Sequence, residues 1–370
     1  MLGNMMFKPL LISSMIEHAG RYHADSLVIS KNTDTTITET TWGKVHENSK
    51  RFANVLASFG LDLSDRIATI AWNNHRHLES WYAISGSGYV CHTINPRLFP
   101  EQLIFIINDA SDRVILFDKT FLPLVKAVKP LLKSVEHYIC LDAFDEAISQ
   151  DFPEIKFYDD LIAQQNADFD WPELDELSAS SLCYTSGTTG NPKGVLYSHR
   201  STVLHSYAIS MPDSLNVSAR DIMMPVVPMF HVNAWGTPYA AAMVGCTLVL
   251  PGPGLDGASL TQMIDQYKVS VALGVPTIWQ GLINAAQQAG SKLESLTRNV
   301  VGGSACPPAM LKVFKEQFGC ETIHAWGMTE TSPLGSANQF KAKHQHLSDE
   351  EKLQVRLSQG RPPFGVDLRI

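Results

Sequence analysis

Short apolar runs of strand length alternate with helical patterns along most of this 370-residue chain, and this alternation is the strongest constraint on its fold. Residues 48–61 and 77–88 carry the helical period. Residues 65–72, 113–118 and 137–142 are short apolar runs that predict strands. Strands that alternate with helices favour parallel sheets with helices packed on both faces. The sequence therefore predicts an α/β fold.

A polar, loosely patterned stretch at residues 149–180 separates this series from a second one. The second series of strand-like runs is SLCYTS, DIMMPVV, CTLVLPG, VSVALG and NVVGGS, between residues 181 and 304. We interpret the polar stretch as a connection between two units. The prediction is two doubly wound α/β subdomains, residues 1–178 and 179–335.

The composition favours a cytoplasmic protein without a nucleic-acid partner. The net charge is −8, from 29 basic and 37 acidic side chains, whereas a phosphate backbone demands basic patches. Six scattered cysteines without a CxxC pair favour buried, reduced thiols. Residues 8–24 predict an amphipathic helix rather than a signal peptide. No stretch approaches the roughly 20 apolar residues of a transmembrane helix.

The stretch YTSGTTGNPKGVLYSHRS at residues 184–201 combines glycines, hydroxyl side chains and Lys193. The apolar residues before it predict a strand, and those from Val195 onward predict a helix. Glycines in such a connection let backbone N–H groups form an anion-binding nest, and the helix N-terminus would add its positive dipole end. The Walker pattern is not met, because Lys193 is followed by Gly194. The sequence indicates a phosphate loop of another type, with a Gly/Thr-rich surface turn as the alternative.

Together with other blocks, this loop resembles the adenylate-forming superfamily of acyl-CoA ligases, luciferases and peptide-synthetase adenylation domains. YTSGTTGNPKGV is similar to the signature loop of that family. HAWGMTETSP (324–333) is similar to its adenine and magnesium motif, and GGSACP (302–307) to the glycine turn before it. PMFHVNAWGTPYAAAMVGCTLVLPGPG (228–254) and HTINPRL (92–98) most resemble medium- and long-chain fatty-acid–CoA ligases. The resemblance runs from near residue 10 to the last residue.

The resemblance implies the large N-terminal domain of such an enzyme. Two α/β sheets with flanking helices would be followed, at residues 336–370, by the start of a β-barrel-like subdomain. The ribose-binding aspartate of a T-G-D motif and the mobile C-terminal domain of the relatives have no counterpart in the sequence. We therefore expect an N-terminal fragment of a ligase that turns over little by itself.

The resemblance also implies roles for particular residues. Thr185, Lys193, Thr329 and Glu330 would be catalytic, and Mg²⁺ on the phosphates of ATP would lie next to Thr185 and Glu330. Trp326, where many relatives carry tyrosine, would stack on adenine. The residues expected to bind the nucleotide are Thr185, Ser186, Gly187, Thr188, Thr189, Gly190, Lys193, Gly302, Gly303, Ser304, Ala305, His324, Ala325, Trp326, Gly327 and Thr329. The residues expected to contact the acyl substrate are His231, Val232, Trp235 and Gly303.

Several of these residues have ordinary structural alternatives. The glycine pair at residues 302–303 suits any strand-to-turn connection, and Glu330 suits a solvated surface. His231 suits a general base, a packed core histidine or a contact near the acyl carbonyl, and Trp235 suits either the core or an aromatic gate over an acyl tunnel. Because Phe230 is followed by His231, no carboxylate is offered to the α-amine of an amino acid. The apolar neighbours of this motif suit an alkyl chain instead.

The resulting prediction is ATP-dependent activation of a fatty acid to acyl-AMP and its transfer to CoA, with AMP and pyrophosphate as the other products. ATP and Mg²⁺ are the expected cofactors, CoA is the co-substrate, and related long-chain ligases suggest a homodimer. Three alternatives stay open: an acyl-AMP ligase that passes its product to a carrier protein, a kinase or ATPase with an atypical phosphate loop, and a non-catalytic binding module.

Overall fold

The structure is a computed structural model that describes residues 1, 3–185 and 191–369. Within these ranges the strands are β1 (Leu27–Lys31), β2 (Ile37–Thr41), β3 (Arg66–Ile70), β4 (Val90–Thr93), β5 (Val114–Phe117), β6 (His137–Cys140), β7 (Ile155–Phe157), β8 (Ala179–Thr185), β9 (Lys193–Ser198), β10 (Ile222–Pro225), β11 (Thr247–Leu250), β12 (Val271–Gly274), β13 (Arg298–Val301), β14 (Glu321–Gly327) and β15 (Leu334–Ala337). The helices are α1 (Ile12–Tyr22), α2 (Trp42–Ala57), α3 (His75–Gly86), α4 (Pro100–Ala110), α5 (Leu122–Val128), α6 (Glu146–Asp151), α7 (Tyr158–Ala163), α8 (His199–Ser210), α9 (Thr237–Val244), α10 (Gly257–Tyr267), α11 (Pro276–Ala289), α12 (Pro308–Phe318) and α13 (Asp349–Leu357).

The strands of the described residues form two sheets. The first has the order β7-β6-β5-β3-β4-β8-β9, and the second has the order β15-β14-β13-β12-β10-β11-β1-β2. Neighbouring strands run parallel except at β8/β9, β1/β2 and β14/β15, which lie at the edges. The inner strands are short and buried on both faces, as β5 and β12 illustrate, because helices cover both sides of a parallel sheet. This confirms the predicted α/β fold with two sheets and flanking helices.

The second sheet is split along the chain, because its strands β1 and β2 precede all strands of the first sheet. The N-terminal hairpin β1–β2 completes the second sheet, where β1 pairs in parallel with β11. The hairpin β8–β9 lies instead in the first sheet, where β8 pairs in parallel with β4. Strand membership therefore does not follow chain order. The subdomain limits at residues 178/179 and 335/336 stay a prediction.

The predicted helix from Val195 onward is wrong at its start. Residues 193–198 form β9, which pairs antiparallel with β8 and places Lys193 opposite Thr185. The residues of β9 alternate in exposure, with Tyr197 buried and Leu196 exposed, which is a strand period rather than a helical one. α8 begins only at His199. The loop thus connects two strands of a hairpin. Because β9 and not a helix follows the loop, the expected contribution of a helix dipole to phosphate binding is wrong.

The polar stretch at residues 149–180 holds more structure than a connection. It contains the end of α6, the edge strand β7 and the short helix α7. β7 is only three residues long and its buried side chains are Ile155 and Phe157, so its periodic signal is too short to stand out in a polar segment. The connection without helix or strand is therefore shorter than predicted and spans residues 164–178.

The N-terminal helix and the cysteines agree with the sequence. α1 lies within the predicted amphipathic segment, residues 8–24, and it buries one face formed by Ile12, Met15, Ile16 and Ala19. All six cysteines are buried and free, as predicted. Across the described ranges, no helix has the length and apolar character that crossing a membrane requires.

Candidate active site

A cavity of about 230 Å³ lies at the carboxyl ends of β13 and β14 in the second sheet. The carboxyl ends of parallel strands are where open α/β sheets bind their ligands. The cavity brings together nine of the residues predicted for the site: His231, Val232, Trp235, Gly302, Gly303, Ala325, Trp326, Gly327 and Thr329. The rest of its wall includes Ile209, Leu215, Val300 and Leu334, so the lining is mainly apolar. None of the described residues in this lining is Asp, Glu, Lys or Arg.

Trp326 contributes an aromatic surface to the cavity because one side of its indole is supported by Gly335. A side chain on Gly335 would overlap the Cε3 and Cζ3 atoms of Trp326. Gly335 lies on β15, which pairs antiparallel with the end of β14. The indole is therefore supported by backbone rather than by a side chain. An aromatic ring held in this way suits the stacking of a planar base.

Trp235 approaches the glycine turn from the opposite wall. A Cβ built on Gly302 would lie 2.9 Å from Cη2 of Trp235 and 3.3 Å from the carbonyl oxygen of Ala325. Glycine is thus required here because the backbone lies close to both groups. Gly303 has φ +78°, a conformation that glycine adopts without strain. The two glycines let the chain turn at the base of the cavity.

The segment that carries Trp235 has an unusual backbone. Val232, Asn233, Ala234 and Trp235 have φ values of 50°, 51°, 47° and 56°, so four consecutive residues other than glycine are left-handed. Each such residue costs about 1–2 kcal/mol relative to the right-handed conformation. A strained segment of this kind persists only when its surroundings hold it in place, and such segments cluster at functional sites.

A second cavity of about 260 Å³ adjoins the first. The two cavities share His231, Val232 and Thr329 as lining residues, and the second is also lined by Thr185 at the end of β8. Tyr197 of β9 donates a hydrogen bond from its hydroxyl to the carbonyl oxygen of Thr329. The start of the predicted phosphate loop and the TET segment of the adenine motif therefore lie side by side.

Apart from His324, the remaining predicted residues divide into three groups. Ser186, Gly187, Thr188, Thr189 and Gly190 lie outside the described residues. Lys193 and Glu330 are exposed and line neither cavity; Lys193 pairs with Thr185 across the hairpin, and Glu330 follows Thr329 in its turn. Ser304 and Ala305 are exposed beyond the glycine turn and do not line the first cavity.

His324 has a different environment from the one expected of a nucleotide contact. Its side chain is buried, with Nε2 accepting a hydrogen bond from the backbone N–H of Cys306 and Nδ1 3.2 Å from the carbonyl oxygen of Leu357. These partners fix the tautomer with the proton on Nδ1. The imidazole joins the turn after β13 to the segment after α13, and it does not line the cavity. A direct role of His324 in nucleotide binding stays a prediction.

The chemistry of these residues fits a Mg²⁺–triphosphate group. The described residues include no cluster of three or more His, Cys, Asp or Glu side chains that could bind a metal ion alone. A hydroxyl at Thr185 and a carboxylate at Glu330 are hard oxygen ligands, and Mg²⁺ usually takes one or two protein ligands besides water and phosphate oxygens. Metal binding by Thr185 and Glu330 stays a prediction.

His231 lies where the two cavities meet. Its ring is accessible through the cavities, yet the surrounding protein removes much of its water, and this desolvation lowers its pKa. The imidazole is therefore neutral at neutral pH. A neutral wall at this point suits an acyl chain next to its carboxyl group better than a second charged ligand would.

Some residues of the site carried no sequence signal. Ile209 reaches the cavity from the end of α8, and Leu215 reaches it from the segment after that helix. The packing of α8 on α9 sets both positions. Thr93 and Cys183 line the second cavity from β4 and β8. They lie in the HTINPRL and SLCYTS runs noted in the sequence, but neither was predicted for the site, because their positions depend on strand pairing.

Comparisons with known proteins agree with this geometry. The AMP-binding enzyme family model matches residues 16–370. The chain is 58% identical over 370 residues to a 3-methylmercaptopropionyl-CoA ligase of Ruegeria lacuscaerulensis, covering 100% of the chain and 69% of the relative. It is 57% identical over 370 residues to a medium-chain-fatty-acid–CoA ligase of Ectopseudomonas oleovorans, covering 100% of the chain and 68% of the relative. The crystal structure of the anthranilate CoA ligase AuaEII with anthranoyl-AMP superposes with a TM-score of 0.85 at 21% identity, covering 99% of this chain and 67% of that one.

These matches define the class of protein: it is an enzyme of the adenylate-forming type. The chain belongs to the AMP-binding enzyme family, and within that family to the acyl-CoA ligases. CoA ligases of this family generally use ATP, Mg²⁺ and CoA.

Proposed function

We propose that the protein activates a fatty acid of medium chain length with ATP and transfers the acyl group to CoA. The observation that carries this proposal is the shared wall of the two cavities. An apolar space bounded by Trp235 meets a second space lined by Thr185, at the start of the predicted phosphate loop. This arrangement suits an acid whose tail is apolar and whose carboxylate must reach a phosphate.

The chemistry requires two anions to meet. In the first step a carboxylate oxygen attacks the α-phosphorus of ATP, a P–O bond forms, and the bond to pyrophosphate breaks. In the second step the thiolate sulfur of CoA attacks the acyl carbon, and the bond to AMP breaks. Adenylation is needed because a free carboxylate repels nucleophiles and has a poor leaving group, whereas AMP leaves readily.

Some residues of the chain would bind the nucleotide and the acid, and others would stabilise the negative charge of the phosphates. Trp326 would stack on adenine, and residues 185–190 with Lys193 would hold the β- and γ-phosphates. Thr329 would contact the phosphate region from the shared wall. Mg²⁺, held by Thr185 and Glu330, would supply positive charge to the phosphate oxygens when bound. His231 would contact the acyl end as a neutral imidazole, and its lowered pKa makes it a weak proton acceptor there.

The proposed acid follows from the lining and from the relatives. An apolar lining without described charged side chains favours an alkyl tail over a polar acid. A second candidate is 3-methylmercaptopropionate, a short acid whose thioether tail is also apolar. It is favoured by the 58% identity to a relative whose name gives that substrate. Both acids fit one reaction type, and they differ in tail length.

Pyrophosphate exchange into ATP tests the proposal on the natural full-length protein. The acids to compare are straight-chain fatty acids of increasing length, 3-methylmercaptopropionate, and benzoate as a rigid control. We expect exchange that depends on the acid and reaches its maximum at medium chain length. A maximum at 3-methylmercaptopropionate supports the second candidate, and no acid-dependent exchange contradicts the proposed function.

Product and acceptor analysis separates the remaining alternatives. Formation of AMP and pyrophosphate agrees with a ligase, whereas ADP or inorganic phosphate as the direct product would indicate a kinase or ATPase. Acyl-CoA formed with free CoA agrees with the proposal. Acyl transfer to a carrier protein but not to CoA would indicate an acyl-AMP ligase.

A further inference from the structure

The left-handed turn formed by residues 232–236 is held by a polar side chain within it. Asn233 is 2% exposed and its side chain points into the first sheet. Its Nδ2 donates a hydrogen bond to Oγ of Ser181 at 2.9 Å. Its Oδ1 accepts hydrogen bonds from Oγ1 of Thr93 at 3.2 Å and from Sγ of Cys183 at 3.4 Å. The turn is thus fastened to β4 and β8 by one amide.

Asparagine suits this position for two separate reasons. It is one of the residues that adopt the left-handed conformation most readily, and its amide can donate and accept at the same time. Its neighbours Val232, Ala234 and Trp235 have neither property. The hydrogen bonds of Asn233 therefore offset the strain of residues that would otherwise leave this conformation.

The location of the bonds connects two parts of the site. Ser181 and Cys183 lie on β8, four and two residues before Thr185, where the predicted phosphate loop begins. Trp235, two residues after Asn233, lies against Gly302 in the wall of the first cavity. Thr93 and Cys183 also line the second cavity. The amide of Asn233 is a polar connection between the strand before the phosphate loop and the turn that carries the indole.

We propose that Asn233 is a positioning residue that holds the Trp235 indole in the cavity wall and thereby sets the chain-length selectivity for the acid. The selectivity part rests on the proposed function, whereas the position of the indole does not. When the amide is lost, the turn relaxes, Trp235 moves away from Gly302, and the end of the cavity is no longer fixed. Acids of different length are then accepted more equally.

Asn233→Gly tests the role of the Asn233 hydrogen bonds separately from the backbone preference of the residue at this position. Glycine adopts a left-handed φ without strain, so the substitution removes the hydrogen bonds and leaves the conformation permitted. The matched control is Asn299→Gly on β13. Asn299 is also fully buried, and its Oδ1 accepts from Oγ1 of Thr322 at 2.7 Å and Sγ of Cys320 at 3.5 Å. The two variants lose similar bonds, but Asn299 lies three residues before Gly302, toward the amino end of its strand.

Two measurements on the full-length protein are required. The first is acid selectivity, measured as the ratio of kcat/KM between the best acid and an acid four carbons shorter in pyrophosphate exchange. The second is acrylamide quenching of Trp235, obtained as the difference between each variant and the same variant with Trp235→Phe. This second measurement does not depend on catalysis.

We expect Asn233→Gly to lower the selectivity ratio about tenfold and to raise the quenching of Trp235 about twofold, while Asn299→Gly changes neither. Unchanged selectivity and quenching in Asn233→Gly would overturn the proposal, as would equal changes in both variants, because these would indicate general loosening. If Trp235 becomes more accessible in Asn233→Gly but no acid supports exchange in the wild type, the positioning of Trp235 by Asn233 is supported and the proposed function fails.

Discussion

At the residue scale, Gly302 is the position where a single methyl group tests the geometry of the cavity. Alanine there would place its Cβ 2.9 Å from Cη2 of Trp235, so the indole must shift. The added methyl group itself takes up space in the cavity wall next to the acyl tail. We expect Gly302→Ala to lower kcat/KM about tenfold for acids of medium length and less for shorter acids, since one methyl group in a pocket is worth about 1–3 kcal/mol. Pyrophosphate exchange along the chain-length series measures this.

The control for this prediction is Gly281→Ala in α11. A Cβ there meets only the backbone nitrogen of Gly257, at 3.9 Å, so it fits without movement. Alanine in a helix is also more stable than glycine by about 1 kcal/mol. Gly281→Ala should keep the wild-type profile. A profile for Gly302→Ala that matches this control would contradict the contact between Gly302 and Trp235.

At the residue level, short motifs selected residues that the fold brings together, while their roles stay predictions. Trp235, Gly302 and Trp326 were chosen from short motifs, and the fold brings them to one cavity. Asn233 could not be found in the same way. The run Val-Asn-Ala-Trp contains no glycine and has no pattern that indicates a left-handed turn, because the turn is imposed by contacts with β4 and β8.

At the scale of elements, a buried carboxyl group lies where three helices meet. Glu79 of α3 accepts hydrogen bonds from Nδ2 of Asn48 on α2 at 3.0 Å and from the hydroxyl of Tyr158 on α7 at 2.8 Å. Burial raises the pKa of Glu79 to about 7, against an ordinary value of 4.5, although Arg76 and the two hydrogen bonds oppose the shift. A proton is therefore retained on Glu79 in the folded state at mildly acidic pH.

This shift predicts how stability depends on pH. Between pH 4.5 and about 7 the folded state holds a proton that the unfolded state has released, so the free energy of unfolding falls as pH rises through this window. Glu79→Gln removes the titrating group and keeps a neutral side chain of similar shape. We expect the variant to match the wild type near pH 4.5 and to be more stable at pH 8, by on the order of 1–3 kcal/mol.

Urea unfolding of both proteins at several pH values checks this prediction. The comparison must be between variant and wild type, because burial and the nearby Asp142 also raise the pKa of Asp118 to about 7 and this group remains in both proteins. A stability difference between the two proteins that is equal at pH 5 and pH 8 would show that Glu79 does not titrate in this window.

Element prediction from the sequence succeeded for strands with long apolar runs and failed at all four sheet edges and at three inner strands. β3, β5, β6 and β10 through β13 coincide with predicted strands. β1, β2, β4, β7, β14 and β15 were not predicted, and β9 was taken for a helix. Of these strands, β2, β7, β9 and β15 lie at sheet edges, whereas β1, β4 and β14 lie inside the sheets. Edge strands bury only one face or part of one, so their residues are more polar and their period is weaker. β2, with the sequence ITETT, has no fully buried residue.

For the whole molecule, the division of the second sheet between the two ends of the described chain has a consequence for unfolding. β1–β2 is a part of the second sheet that precedes the first sheet in the chain, and β8–β9 is a part of the first sheet that leads to the second. The largest hydrophobic cluster contains Leu116 of the first sheet together with Leu273 and Val300 of the second. Neither sheet can be removed without exposing the apolar face of the other.

We therefore expect both sheets to unfold in one cooperative transition, although chains of this length often unfold in steps. Leu116→Ala in β5 and Leu273→Ala in β12 each remove a fully buried side chain and should each cost about 2–5 kcal/mol. The measurement is urea unfolding followed by far-UV circular dichroism and by amide hydrogen exchange of β5 and β12. If the sheets form one unit, each substitution lowers the protection of both strands. Loss of protection in the mutated sheet alone would indicate two independent units, and the subdomain limits near residue 178 would then also be limits of stability.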